Sequence, residues 1–332
     1  TATELVHSAL GRIEQKNAQL NAIVDLLDES ALTAAQAADA AVADGKTLGP
    51  LHGVPVTVKV NVDTKGRATT NGMEIFKDTI APDHSPVVSN LLKAGAILIG
   101  RTNTPEMSMR LTTDNPLHGL TRNPWDLERV PGGSSGGSSA AVAARETPLT
   151  LGSDTGGSIR QPASLCGVVG MKPTYGRVSR YGLAAFASSL DQIGPFSQTV
   201  QDTALLLETI SGHDPLDSTS YPAPVPGYLS TLNEKLEPCT LGLPKEFFGT
   251  GMDDEVRKAV DEAIRWYQGQ GYKMVEISLP TTDLSVPVYY VIATAEASSN
   301  LARSDGIRYT SRSERSVNAI DVYSKTRGEG FG

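Results

Sequence analysis

Residues 130–160 read VPGGSSGGSSAAVAARETPLTLGSDTGGSIR, and the rest of the chain is read outward from them. Two Gly-Gly-Ser turns, Gly132-Gly133-Ser134 and Gly156-Gly157-Ser158, bracket an alanine-rich run and a short apolar run. Glycine lets backbone come close to a ligand and adopts conformations that other residues resist. Two such turns, each ending in a hydroxyl, can bring two serines and several free N–H groups to one point. A Gly/Ser run by itself reads as a flexible linker. The second turn argues against that reading, because it follows a strand-like segment and is not of low complexity.

Upstream, residues 51–60 (LHGVPVTVKV) alternate like a strand, with Lys59 at its end. A lysine there is ordinarily solvated, but Val58 and Val60 leave a semi-buried site open. Helical spacing is expected over 2–18, with Thr1 or Thr3 as cap, and over the Ala-rich 30–44. Ser85-Pro86 opens a helix to Lys93, Gly95 ends it, and a strand follows at 96–99. Residues 102–129 read as polar loop. Downstream, a helix begun by Ser158 itself is expected to Leu165, and an amphipathic helix over 199–211. A Pro-rich connection covers 214–238. Strands at 240–243 and 274–279 flank a helix at 253–268, and 303–332 reads as a long loop. Helix and strand alternate, so the expected fold is a layered α/β one.

Composition excludes several classes. The 332 residues carry a net charge of −8 with no Lys/Arg-rich run, so direct nucleic-acid binding is not expected. The two cysteines, Cys166 and Cys239, form no CxxC, and the five histidines show no paired-ligand spacing. No metal site is therefore expected. Nor does an apolar run reach transmembrane length, and the expected location is cytoplasmic.

Three motif names fit parts of the central stretch and fail on context. Gly132-x-Ser134-x-Gly136 matches a nucleophile elbow, but no strand precedes it directly and His213 is the sole histidine downstream. Asp154-Thr155-Gly156 suggests an aspartic protease, whose mechanism needs a second carboxylate copy that is missing. A phosphate loop would need Gly-Lys-Ser/Thr. What remains is a serine nucleophile whose base is a lysine kept neutral by burial or nearby cations. The chain offers Lys59, Ser134 and Ser158.

These segments, GGSSGGSSAAVAA and GSDTGGSIRQPA with HGVPVTVKV and TRNPWD, resemble the amidase signature family of Ser–Ser–Lys amide hydrolases. The resemblance runs from about residue 3 to the end and implies a single α/β domain over 1–332 with the amidase-signature fold, a mixed central sheet covered by helices on both faces. It implies Ser158 as the acylated nucleophile, Ser134 as the bridging serine beside a cis peptide, and Lys59 as the terminal base. It also implies an oxyanion hole from the backbone N–H groups of Thr155, Gly156, Gly157 and Ser158. Asp154 and Arg160 are expected to brace the loop.

Within the family, residues 172–200, 213–220 and 289–309 resemble the glutaminase components, the A subunits, of tRNA-dependent amidotransferases. That branch implies glutamine as the amide substrate. It also implies two partners, a B subunit that receives the ammonia and a small C subunit that joins the other two. No cofactor is implied for this chain, ATP and Mg being used by the partner. Val60-Asn61 follows the lysine where the A subunits usually show Asp-Asn, and residues 61–88 and 101–119 look more like stand-alone amidases, which act on small, aryl or acyl amides. A catalytically silent binding subunit is the third alternative. Met107, Ser108 and Tyr289, or Tyr290 one residue on, are implied as substrate contacts. Family chains run on past the position of Gly332, so the usual C-terminal part is expected to be missing.

Overall fold

The computed structural model describes residues 1–332, which cluster into two compact units: 1–232 with 293–332, and 233–292. In the larger unit the chain runs α1 (Ala2–Leu20), β1 (Ile23–Leu26), α2 (Asp28–Ala43), β2 (Pro55–Lys59), α3 (Pro86–Lys93) and β3 (Ile97–Thr102). It continues through α4 (Gly136–Ala143), β4 (Leu149–Asp154), α5 (Arg160–Cys166), β5 (Val169–Gly170), β6 (Gln192–Ser197), α6 (Val200–Ile210) and α7 (Tyr228–Thr231). The smaller unit holds β7 (Thr240–Pro244), α8 (Asp254–Gly269) and β8 (Lys273–Ile277). Helix α9 (Ser285–Leu301) counts with the smaller unit up to Ile292, and α10 (Ala319–Gly330) lies in the larger.

Six strands form the main sheet in the order β1-β3-β2-β4-β6-β5. The β3/β2 and β2/β4 pairs are parallel and the other three antiparallel, so the sheet is mixed as expected. Side chains alternate across its faces. Ile97 and Ile99 of β3 join the core of α1, α2 and α4 residues, whereas Leu98 packs against the core that holds Val88, Leu206 and Ile210 of α3 and α6. The same alternation in β2 sends Val56 and Val58 to the second core, leaving Thr57 and Lys59 for the opposite face. The fold is α/β.

Local chemistry explains the elements that hold the site. Thr1 closes a capping box with Glu4 and opens α1. Helix α4 has almost no hydrophobic stripe, being GGSSAAVA, and is stapled to the sheet by hydroxyls. Ser138 Oγ donates to Leu151 O at 3.1 Å and meets Thr102 Oγ1 at 2.7 Å. The approach is so close that a Cβ on Gly137 would sit 2.5 Å from Asn103 N and 2.7 Å from Ala22 O. The alanine-rich run is thus a tightly apposed helix.

In the smaller unit β7 and β8 pair in parallel around α8. Two local expectations fail. Ser158 does not begin a helix: α5 starts at Arg160, and Gly157 at φ +131 keeps the preceding turn open. Residues 303–332 are not all loop, because Asn318 accepts from Asp321 N and caps α10. Its sequence AIDVYSKTRGEG ends in glycine and shows little amphipathic pattern, which hid the helix.

Candidate active site

The end of β2, the turn before α4 and the turn after β4 converge because these strands are neighbours and α4 is clamped across them. Lys59 is fully buried, and its Nζ lies 2.7 Å from Ser134 Oγ and 3.0 Å from Ser153 Oγ. Both contacts are neutral hydroxyls, and no carboxylate lies within ion-pairing distance of the amine. Loss of hydration penalises its charged form, while Asp191 and Asp154 pull the other way, and the result is a pKa pushed down to about 7. Lys59 is therefore a base held near neutrality.

Ser134 follows a cis Gly133–Ser134 peptide and is buried beside the lysine. The next residue fixes the turn: Ser135 Oγ donates to Ser153 O and accepts from Ser153 N, and Ser135 N donates to Ser158 O at 3.1 Å. These bonds bring the two Gly-Gly-Ser turns side by side. The Ser158 hydroxyl is half-buried and makes no hydrogen bond to the protein, including none to Ser134.

Asp154 organises the second turn. Its buried carboxylate accepts from the backbone of Gly157 (2.8 Å), Ile159 (3.0 Å) and Arg160 (3.3 Å), and from the Arg160 side chain at 3.0 and 3.1 Å. Burial raises the carboxyl pKa, but Arg160 and these backbone donors outweigh it and hold the group ionised. Of the four amides expected to form an oxyanion hole, that of Gly157 is thus already engaged by Asp154. Those of Thr155, Gly156 and Ser158 donate to no protein acceptor. Thr155 is held from its side chain, which donates to Asp191 at 2.5 Å.

Met107 and Ser108 both adopt positive φ, +58 and +56, where side chains are strained. The Ser108 hydroxyl is turned inward, donating to Asn71 Oδ1 at 2.8 Å and lying 3.3 Å from Asn61 Nδ2. It is a support for the site, while half-buried Met107 is the more open of the two. Tyr289 belongs to the smaller unit, where its ring meets that of Tyr290 edge to face at 5.5 Å. No cluster of three or more His, Cys, Asp or Glu has a geometry that would hold a metal ion, and no helix is long and apolar enough to cross a membrane.

Sequence reading missed Ser153 and Asp191. Ser153 was within reach, since it precedes Asp154 in the quoted stretch and sits on the strand beside β2. Asp191 carries no local signal; its role comes from three-dimensional proximity to Thr155.

Residues 4–332 match the family described as Amidase. The A subunit of the glutamyl-tRNA(Gln) amidotransferase of Carboxydothermus hydrogenoformans is 53% identical over 332 residues, which are 100% of this chain and 68% of that protein. The crystal structure of the corresponding A subunit from Thermotoga maritima is 41% identical, with a TM-score of 0.81 over 90% of this chain and 63% of that one. The peptide amidase of Stenotrophomonas maltophilia is 29% identical, with a TM-score of 0.85 over 99% of this chain and 69% of that one. The sheet that apposes a buried lysine to a serine turn is thus shared with proteins of known fold, and the chain belongs to the amidase family.

Proposed function

We propose that this chain hydrolyses amide bonds through Ser158, Ser134 and Lys59. We further propose that glutamine is its substrate, supplying ammonia for the transamidation of glutamyl-tRNA(Gln) or aspartyl-tRNA(Asn). The observation that carries the reading is the desolvated Lys59 amine donating to Ser134 Oγ at 2.7 Å, which puts a base and a hydroxyl within proton-transfer distance. Neutral Lys59 takes the Ser134 proton, and Ser134 takes that of Ser158 as Ser158 Oγ bonds to the amide carbon. The carbonyl oxygen becomes an oxyanion facing the amides of Thr155, Gly156 and Ser158, and one such donor is worth ~2.7–4 kcal/mol in related sites. Collapse breaks the C–N bond, and the proton returns by the same relay to the departing nitrogen. Water, deprotonated in turn, then cleaves the ester on Ser158 and yields the carboxylic acid.

Likeness to the glutaminase components of the amidotransferases supports glutamine as substrate, with B and C subunits for partners. In that setting the acidic chain leaves tRNA, ATP and Mg to its partner and needs no cofactor itself. A second reading, a stand-alone amidase, is favoured by the segment 101–119 around the strained Met107-Ser108 turn. The test is labelling with a fluorophosphonate, mass spectrometry of the labelled peptide, and ammonia release from L-glutamine against acetamide and benzamide. Label on Ser158 with glutamine preferred supports the proposal. Label on Ser134 moves the nucleophile, and preference for simple amides replaces the substrate.

A further inference from the structure

Asn61 lies two residues beyond the buried lysine and is itself 1% exposed. Its backbone is fixed from several sides. Arg101, also buried, donates from Nη2 to the carbonyls of Val60 (3.3 Å) and Val62 (3.2 Å), and Ala184 N donates to Asn61 O at 2.8 Å. The side chain is thereby held in one place, with its Nδ2 2.9 Å from Ser153 Oγ and 3.3 Å from Ser108 Oγ. Its Oδ1 is buried and accepts nothing.

An unpaired buried carbonyl costs stability, so its orientation calls for a reason. A serine hydroxyl has two acceptor positions and one proton. Ser153 Oγ gives one acceptor position to Asn61, and the other faces Lys59 Nζ at 3.0 Å. A charged ammonium at Lys59 has three N–H groups to place, yet only Ser134 and Ser153 meet it. Asn61 is near enough to bond the same Ser153, and it presents its positive N–H end there while its carbonyl faces elsewhere.

We propose that Asn61 is a positioning residue that keeps Lys59 in its base-competent neutral form. It does so by directing amide N–H, rather than an oxygen acceptor, at the hydroxyl the two residues share. The same carboxamide ties the Met107-Ser108 turn to the lysine through Ser108. This proposal rests on Lys59 acting as the base. The charged groups that act on Lys59 are Asp191, which also accepts from Thr155, and Asp154, which is paired with Arg160; both favour the ammonium. Asn61 is the neutral group between the lysine and the 107–108 turn.

The test is the rate of fluorophosphonate labelling of Ser158 in the full chain between pH 5.5 and 10. Asn61→Asp places a negative acceptor at the same position. Its acid limb should move up by at least one pH unit, so that labelling at pH 7 falls tenfold or more and recovers toward pH 10. Asn61→Ala removes the donor without adding charge, so its acid limb should also move up, by less than in the aspartate variant, with labelling recovered at high pH; it also serves if the aspartate variant does not fold. An Asn61→Asp limb at the wild-type position, or wild-type labelling by Asn61→Ala, overturns the proposal. Lys59→Met is the separate control. Labelling at the wild-type rate in that variant would sink the lysine-base reading itself, whatever the Asn61 variants do.

Discussion

Lys59 Nζ and Ser134 Oγ, seventy-five residues apart in the chain, meet at 2.7 Å with both side chains sealed from solvent. A lysine donating to a hydroxyl is unremarkable at a surface. In this buried setting the amine has no anionic partner within bonding distance, so under the proposed reaction its protonation state becomes the variable that sets reactivity.

That variable predicts the pH dependence of the reaction. In the proposed reaction the active form of Lys59 is the neutral one, and burial pushes its pKa down to about 7. Hydrolysis measured as kcat/KM should therefore rise through an acid limb near pH 7 and disappear below it. A profile flat from pH 5.5 to 9 would remove Lys59 from the base role.

Stability should respond to the same group. Its folded pKa lies below the unfolded value of 10.5, so between about 7 and 10.5 only the unfolded chain holds the proton. Stability then climbs with pH across that window. Lys59→Met should abolish activity, flatten that slope and stabilise the fold at pH 7 by on the order of 3 kcal/mol. Urea titrations at pH 7 and 9.5 measure the difference, and equal stability of the two proteins at pH 7 would contradict it.

Asp154 offers a second handle, because its carboxylate gathers three backbone amides and a guanidinium. Asp154→Ala leaves these donors unpaired and should cost about 3–5 kcal/mol of stability. Where the variant still folds, kcat should fall ~100-fold or more with a smaller change in KM, since the loop proposed to face the oxyanion loses its anchor. Steady-state kinetics on folded material decides between this and a purely structural loss.

Glu146 is buried with both carboxyl oxygens unpaired, and desolvation pushes its pKa up to about 8. The sign is opposite to that of Lys59. The folded state binds the proton more tightly than the unfolded state, so this contribution to stability falls as pH rises from about 4.5 to about 8. Glu146→Gln should remove that decline and gain on the wild type as pH increases, by on the order of 3 kcal/mol between pH 4.5 and 9. Thermal or urea unfolding across that range provides the measurement.

Strand β2 could be read from its alternation because Val56 and Val58 are β-branched and share one face of the pleat, although all five of its residues are buried. Lys59, Ser134 and Ser158 stood out as candidates through two glycine turns and a strand-end lysine, and their expected roles came from the family resemblance; the structure brings Lys59 and Ser134 into contact. What escaped was set by proximity in three dimensions. The inward turn of Ser108, the double contact of Ser153 and the engagement of the Gly157 amide depend on which loops lie side by side. Helix α10 escaped for the opposite reason: its face carries too little periodicity to announce it.

The ion pair of Arg160 with Asp154 has a consequence for charge in the acylation step. In the proposed acylation step the Asp154 carboxylate, which also favours the ammonium form of Lys59, would repel the oxyanion facing the Thr155, Gly156 and Ser158 amides. Arg160, half exposed to solvent, contacts Asp154 from the outside and offsets that negative charge. The loop can then keep the shape a carboxylate imposes without its full field. In the proposed reaction Arg160 would act as a shield that lets one anion scaffold a site that receives another.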